Sequence, residues 1–566
     1  MNLSLSHGLR RRRLTAALLA GAIFSSPAMA ALDDAKAILQ VLLNKGVITQ
    51  SDYDKTLDEW NSKPSDSVSP VQFVQDALGV QAKEVQQAVE NTKKDEKNGS
   101  VKSNGLGLVS ADGDSSVNIT GMVHFDSHQF NTGLPNLTDK DSASVADQFE
   151  FRRVRLGVNG SIAKNIDYEV IINATGTDTN ILDTGFITLN SSPHAQWRFG
   201  RFRQPYSLES MTKDGSIDFM ERSYGDQLGP NKLLGAGVAG VVSKGVTYGF
   251  AVAQSQFSEL SNTAGTLGGL YTGRFTVNPA EWGDSKDKVV HFGFSSHVGT
   301  SYSTPTTSLD TGNTSSGTTR ATILSFRSED RGLSSIYRAQ IGGDSVTAAY
   351  GASANNVAEI KKELNDLEFA YASGAFKFQT EYAVDTINST ATAITTAGAS
   401  ATSQASLALT AQTLYYELIY NITGENWADA YKNGSFTGIK PKSNYVIGEG
   451  GTGAWQVGAR LSSYKVSLAG LNTGCKNTST IQNGTYCLSD GANGTSRAEN
   501  SETANTITLG LNWLLNPNTV FKLNYATTSF GRPVSILSST LNGTTSSTAS
   551  TTTRENVVSL RAQVNF

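Results

Sequence analysis

Asn556-Val557-Val558-Ser559-Leu560-Arg561-Ala562-Gln563-Val564-Asn565-Phe566 is the stretch whose reading decides the fold. Successive side chains of a strand point to opposite faces. Val558, Leu560, Ala562, Val564 and Phe566 therefore share one face, and Ser559, Arg561, Gln563 and Asn565 share the other. One face suits an apolar medium and the other suits water.

The same period-two pattern runs back through the chain to Ser115. Sixteen clear segments carry it, among them Val117–His128, Phe149–Ser161, Gln196–Arg203, Thr519–Thr527 and Asn556–Phe566. Tight turns such as Ala163-Lys164-Asn165, Lys244-Gly245 and Ser373-Gly374 alternate with long polar connections over residues 129–147, 204–235, 387–410, 472–503 and 529–553. Short turns at one end and long loops at the other are the layout of an outer-membrane β-barrel. An antiparallel transmembrane barrel of sixteen strands over residues 115–566 is expected. A further hairpin, Ser334–Ala352 with Gly342-Gly343-Asp344 as its turn, would raise the number to eighteen. Both numbers are even, as such barrels require. An aromatic at Phe566, preceded by apolar residues at every second position, is expected to be the address that outer-membrane assembly machinery reads in proteins of this type.

The amino-terminal end agrees. Arg10 to Arg13, the short apolar run Leu14 to Phe24 and the small-residue site Ala28-Met29-Ala30 form a signal peptide over residues 1–30. That run is too short to cross a bilayer, which takes roughly 20 residues as a helix, and no later segment is long and apolar enough. Charged residues are 17% of the chain, against roughly 25% in soluble domains. Loss of Arg10 to Arg13 with the leader takes the formal charge from −4 to about −8, which argues against a nucleic-acid partner.

Residues 31–104 differ in texture. Leu32 to Asn44 and Thr49 to Trp60 read as short helices, Pro64 to Pro70 as a linker, and Ser69-Pro70 as the start of a longer helix. Val71, Val74, Leu78, Gln81, Val85 and Ala88 follow a heptad-like spacing that suits a coiled coil or a plain amphipathic helix in the periplasm. Lys93 to Asn104 reads as a polar linker. Cys475 and Cys487 are an even pair in an oxidising compartment and are expected to form a disulfide clipping a surface loop, worth roughly 3 kcal/mol by chain entropy.

Alternation also assigns the lumen. With Val154, Leu156 and Val158 outward, Arg153 and Arg155 face in; with Trp197 and Phe199 outward, Arg198 faces in. Arg274, Lys377, Arg460, Lys522 and Arg561 turn inward by the same rule. The inward acids on these segments are Glu169, Glu368, Glu381 and Glu417. Basic groups outnumber them, and Arg and Lys lining a pore favour anions.

The run Gly200-Arg201-Phe202-Arg203-Gln204-Pro205-Tyr206-Ser207-Leu208-Glu209, continuing to Asp218-Phe219-Met220-Glu221-Arg222-Ser223, resembles the loop signature of the phosphate-selective porin O and P family. Leu42-Leu43-Asn44-Lys45-Gly46-Val47-Ile48-Thr49 resembles that family's helical leader. Glu425-Asn426-Trp427-Ala428-Asp429-Ala430-Tyr431, with Phe436, Pro441 and Gly453-Ala454-Trp455, resembles its late periplasm-side block. Leu509-Gly510-Leu511-Asn512-Trp513-Leu514-Leu515-Asn516-Pro517-Asn518 resembles its penultimate hairpin. The resemblance implies a sixteen-stranded barrel, a homotrimer, a loop after the fifth strand folded into the lumen, and passage of small anions, in some members phosphate or polyphosphate. It makes Arg201, Arg203, Lys213, Arg222 and Lys232 candidate anion ligands beside Arg153, Arg155 and Arg198, since Arg binds phosphate bidentately and Lys as a point charge. Glu209, Asp214, Asp218, Glu221 and Asp226 on the same loop oppose a strong selectivity.

Other chemistry is poorly supported. His124, Asp126 and His128 lie on one face of the first strand, but the sequence shows no third ligand, and polar lumen residues account for them. No nucleophile elbow, Walker loop or dinucleotide fingerprint is present, so neither an enzyme nor a cofactor is expected. The rival to a diffusion pore is a barrel serving as adhesin or scaffold, which the long Ser/Thr/Asn/Gly-rich loops would suit.

Overall fold

The structure is a computed structural model. It describes residues 50, 53, 54, 58, 101–102, 105–110, 113–131, 147–175, 181–254, 269–283, 287–303, 321–333, 336–341, 355–394, 404–471, 496–536, 540–541, 544–545 and 550–566. The signal peptide, the heptad-like seam and the Cys475/Cys487 pair lie outside these residues. The chain divides into two compact units, residues 1–117 and 118–566. In the first, Gln50, Tyr53, Asp54 and Asp58 are helical, within the stretch expected as the second short helix. Val101–Lys102 pairs with Gly105–Val109, so the end of the expected linker is a short hairpin instead.

The second unit is a closed antiparallel barrel of sixteen strands. In chain order they are β1 (Ser116–Asn131), β2 (Gln148–Ile162), β3 (Ile166–Asn173), β4 (Leu182–Ser192), β5 (Ala195–Arg203), β6 (Lys232–Ser243), β7 (Val246–Ala253) and β8 (Leu270–Val277). They continue with β9 (Lys288–Ser303), β10 (Asn355–Ser373), β11 (Phe376–Ile394), β12 (Gln404–Asn421), β13 (Ala454–Leu471), β14 (Thr503–Asn516), β15 (Thr519–Ile536) and β16 (Ser550–Asn565). Among the described residues of the hairpin expected over Ser334–Ala352, none joins this wall. Tyr337–Ile341 instead pairs with Ala321–Phe326 and Ser496–Asn500 in a small separate sheet, which settles the number at sixteen.

The alternation of β16 is as its sequence requires. Val558, Leu560 and Val564 are 42%, 47% and 43% exposed, while Ser559, Arg561 and Gln563 are at most 1% exposed. The outward set meets lipid and the inward set lines the lumen. At Ala163 and Lys164 the φ angles are 51° and 66°, the pair of left-handed residues that a two-residue hairpin turn demands. β16 pairs with β1, setting Ser559 opposite His128 and Arg561 opposite Asp126, and this closes the ring. Phe566 completes the seam. Its N–H donates to Gly121 O at 3.0 Å, and Gly121 N–H donates back to Phe566 O at 2.8 Å. A Cβ on Gly121 would come 2.2 Å from the Phe566 ring, so a side chain there would have to displace the ring.

Candidate functional site

The connection between β5 and β6, residues 204–231, folds into the lumen. Tyr206, Leu208, Phe219, Met220, Tyr224 and Leu228 are each at most 1% exposed, and a loop in water could not bury so much apolar surface. It contains two short helices, α1 (Leu208–Met211) and α2 (Tyr224–Leu228), capped by the side chains of Ser207 and Ser223. Glu381 of β11 accepts the backbone N–H groups of Leu208 at 3.0 Å and Glu209 at 2.7 Å, and the Tyr415 hydroxyl at 2.5 Å. The loop is thereby tied to one wall.

Cations tie it elsewhere. Arg561 binds Asp126 with both carboxylate oxygens at 2.6 and 2.7 Å, donates to Met220 O at 2.6 Å and reaches Glu221 at 3.2 Å. Arg460 reaches Glu209 and Glu329 at 3.4 and 2.8 Å, Lys377 pairs with Asp218 and Glu417, and Lys522 donates to Ile217 O. Four groups that alternation places in the lumen are therefore anchors of the loop. Arg274 is likewise paired, to Glu368 at 2.6 Å.

Two further segments enter the lumen. The connection between β12 and β13 carries a helical turn, Trp427–Ala430, and its Trp427, Phe436 and Ile439 pack with Leu208 and Phe219. This is the stretch that the sequence marks as a periplasm-side block. Residues 327–333 enter between two strands of the small sheet, and Glu329 there accepts from Tyr224 N–H at 3.1 Å.

Between the loop and the β2 wall lies a chamber of about 410 Å³, lined by Arg152, Arg153, Arg155, Arg203, Arg222, Arg327, Asp214, Asp226, Gln227, Asn231 and Ser325. A liquid water occupies about 30 Å³, so the chamber has room for an oxyanion with part of its hydration. Asp214 sits among four guanidinium groups, at 3.5 Å from Arg153, 2.5 Å from Arg155, 3.3 Å from Arg203 and 2.7 Å from Arg222. Burial alone would raise the Asp214 carboxyl, but these four arginines hold it well below the usual carboxylate range. It is a fixed internal anion.

Of the candidate ligands read from sequence, Arg153, Arg155, Arg203 and Arg222 line this chamber, and the others do not. Arg198 lies over the rings of Phe186 and Phe202, Arg201 donates to Asp183 O, Lys232 pairs with Asp183, and Lys213 is exposed. Sequence reasoning missed Arg152 and Arg327. Strict alternation from Phe149 and Phe151 would place Arg153 outward, and from Val154 onward would place Arg152 outward. The phase slips by one between them, and both arginines face in. Phe149 and Phe151 stay outside against Phe125. Arg327 belongs to the inserted segment, where no periodicity reports its place. The basic excess counted from sequence is also corrected. Asp126, Asp366, Asp385 and Glu555 are buried in the lumen as well, the last three just beyond the strand ends inferred from alternation. The positive charge is local to the chamber, and β10, β11 and β12 form an acidic wall of Asp366, Glu368, Glu381, Asp385 and Glu417.

Two acids of the inserted segments titrate near neutrality. Burial pushes Glu209 up to about 7 against the pull of Arg460, and burial with Glu329 and Glu555 nearby pushes Asp330 up to about 7. Protonation of both as pH falls from about 8 to about 6 removes negative charge from the lumen. The reversal potential in a salt gradient should therefore move toward anions over that interval. Glu209→Gln with Asp330→Asn should reduce the response, and an unchanged pH response in the double variant would contradict the assignment.

A lipid-facing apolar belt, a charged lumen and an inward-folded loop on a closed barrel define an outer-membrane porin. The sequence profile of the phosphate-selective porin O and P family matches residues 117–566, and the chain belongs to that family. It resides in the bacterial outer membrane, and the family's members are channel proteins. No curated protein sequence matches the chain. Among solved structures, an anion-selective porin from Comamonas acidovorans is similar, with 12% identity over 80% of this chain and 100% of that one and a TM-score of 0.39. OmpT of Vibrio cholerae in its trimer form matches at 9% identity over 80% and 99%, and the channel DcaP of Acinetobacter baumannii at 8% over 80% and 97%, both with a TM-score of 0.39.

Proposed function

We propose that this porin passes small hydrophilic solutes with a preference for anions, and that the arginine chamber holds phosphate-like oxyanions in transit. The observation that carries this is a chamber lining of six arginines and two carboxylates, with two further acids behind it, Glu221 at 2.6 Å from Arg152 and Asp183 at 3.2 Å from Arg155. Asp214 occupies the donors that an oxyanion would use. It limits how tightly an incoming anion is held, and conduction needs a site that binds weakly enough to release. Phosphate and polyphosphate fit this chemistry, and the homotrimer implied by the family belongs to the same reading.

The test is planar-bilayer recording on wild type and on Arg203→Gln with Arg327→Gln. Arg327 makes no ion pair among the described residues, and its Nη1 is buried without a hydrogen-bond partner. The double variant should shift the reversal potential toward cations and weaken phosphate block of chloride current about tenfold, equivalent to about 1.4 kcal/mol. Arg198→Gln, outside the chamber, should leave phosphate block unchanged. A silent channel would favour the adhesin or scaffold reading, and a double variant with wild-type block would dismiss the chamber as an anion site.

A further inference from the structure

β1 carries His124, Asp126 and His128 on its lumen face. The neighbouring β2 brings in what its sequence lacks, a third candidate metal ligand. His128 Nε2 stands 3.4 Å from Glu150 Oε1 and 3.8 Å from Asp126 Oδ2. Zinc takes nitrogen and oxygen ligands at about 2.0–2.2 Å, and tetrahedral geometry then separates ligand atoms by about 3.3–3.5 Å. The three side chains converge at close to that spacing, with ligand atoms all within 4.8 Å of one another.

His128 is already oriented for the role. Its Nδ1 is 2.9 Å from Ser559 Oγ, which fixes the ring and leaves Nε2 aimed at the two carboxylates. Metal-bound imidazoles keep their second nitrogen engaged in this way. His128 is 2% exposed, and neither its Nε2 nor Glu150 Oε1 has a hydrogen-bond partner. His124 takes no part, because its ring nitrogens do not fall within the 4.8 Å group formed by the other three side chains. Asp126 is engaged by Arg561, yet a carboxylate oxygen has two lone pairs, so Oδ2 can accept from Arg561 and still ligate an ion. Among the described residues, the ion pairs of Glu150 are with His128 and, at 4.0 Å, with Arg331. Glu555 lies nearby under Gly332, with its Oε1 without a hydrogen-bond partner.

We propose that Asp126, His128 and Glu150 form a site for a divalent transition-metal ion of the Zn²⁺ type, with solvent completing the coordination. The ion would cross-link β1 to β2 where the inserted segment meets the wall. The other reading of the same contacts is a protonated His128 paired to both acids, and a metal titration separates the two.

The full chain, folded in detergent, is titrated with Zn²⁺ against a chromophoric chelator, and its unfolding temperature is followed with and without Zn²⁺. Wild type should bind a single saturable equivalent and unfold at a higher temperature with the ion. His128→Gln and Glu150→Gln should each weaken binding by at least about tenfold and abolish the thermal shift. His194→Gln, on an exposed turn, should keep both. Neither test substitution touches the Arg561 to Asp126 pair, and the wild-type titration is decisive without them. Absence of saturable binding in wild type overturns the proposal, as does binding that survives both substitutions.

Discussion

Replacing Arg561 with Met should destabilise the barrel by about 3–5 kcal/mol, the usual cost of removing one partner from a buried ion pair. Arg561 is fully buried. It neutralises Asp126 through two short hydrogen bonds, reaches Glu221 and satisfies Met220 O. Met fills similar space and supplies no donor, so two carboxylates on different segments lose a shared cation. One carboxylate closes the barrel seam on β1 and the other anchors the inserted loop, so the loss falls on both at once. Loss of the fast-migrating folded band with temperature or urea measures the effect. Asp126→Asn added to Arg561→Met should recover part of the stability, because it removes the stranded charge, while Glu221 keeps Arg152 at 2.6 Å. Unfolding midpoints equal to wild type would show that Arg561 is dispensable and that the loop is held by other pairs.

The second large effect is expected on conductance. Glu381→Ala removes the acceptor for Leu208 N–H, Glu209 N–H and the Tyr415 hydroxyl. Hydrogen bonds to a charged group contribute about 1.5–3 kcal/mol each, and a buried donor left unsatisfied costs about 1–3 kcal/mol. That sum exceeds what an inserted loop can lose at one attachment and keep its position. α1 should leave the wall while Arg561 and Arg460 still hold residues 220–221. Single-channel conductance should rise severalfold, with added open-channel noise. Glu381→Gln retains one acceptor oxygen and should fall between the two. Wild-type conductance and noise in Glu381→Ala would show that the remaining tethers alone place the loop.

Much of the wall was legible because the rule that builds it is local. Each strand expected from alternation has its counterpart in the barrel, since lipid outside and water inside impose period two on every crossing. The outer ends of β10, β11 and β16 were read short because the outward face turns polar beyond the membrane, and Asp366, Asp385 and Glu555 were lost with them. Arg152 was lost to a one-residue slip in β2, which moves a side chain to the opposite face without any mark in composition. Residues 327–333 escaped notice because an inserted loop has no period to betray it.

The sequence by itself determined that this chain forms a membrane barrel, how many clear strands alternate, and which way most wall side chains face, because each follows from two-residue periodicity and turn chemistry. It could not determine which of those charges remain for a solute. That depends on partners far apart along the chain: Arg561 meets Asp126 across 435 residues, and Arg460 meets Glu209 across 251. Only closure of the ring and insertion of the loop bring such groups within reach. The tertiary structure therefore decided that Lys377, Arg460, Lys522 and Arg561 are anchors, and that the arginine excess is confined to the chamber beside Asp214.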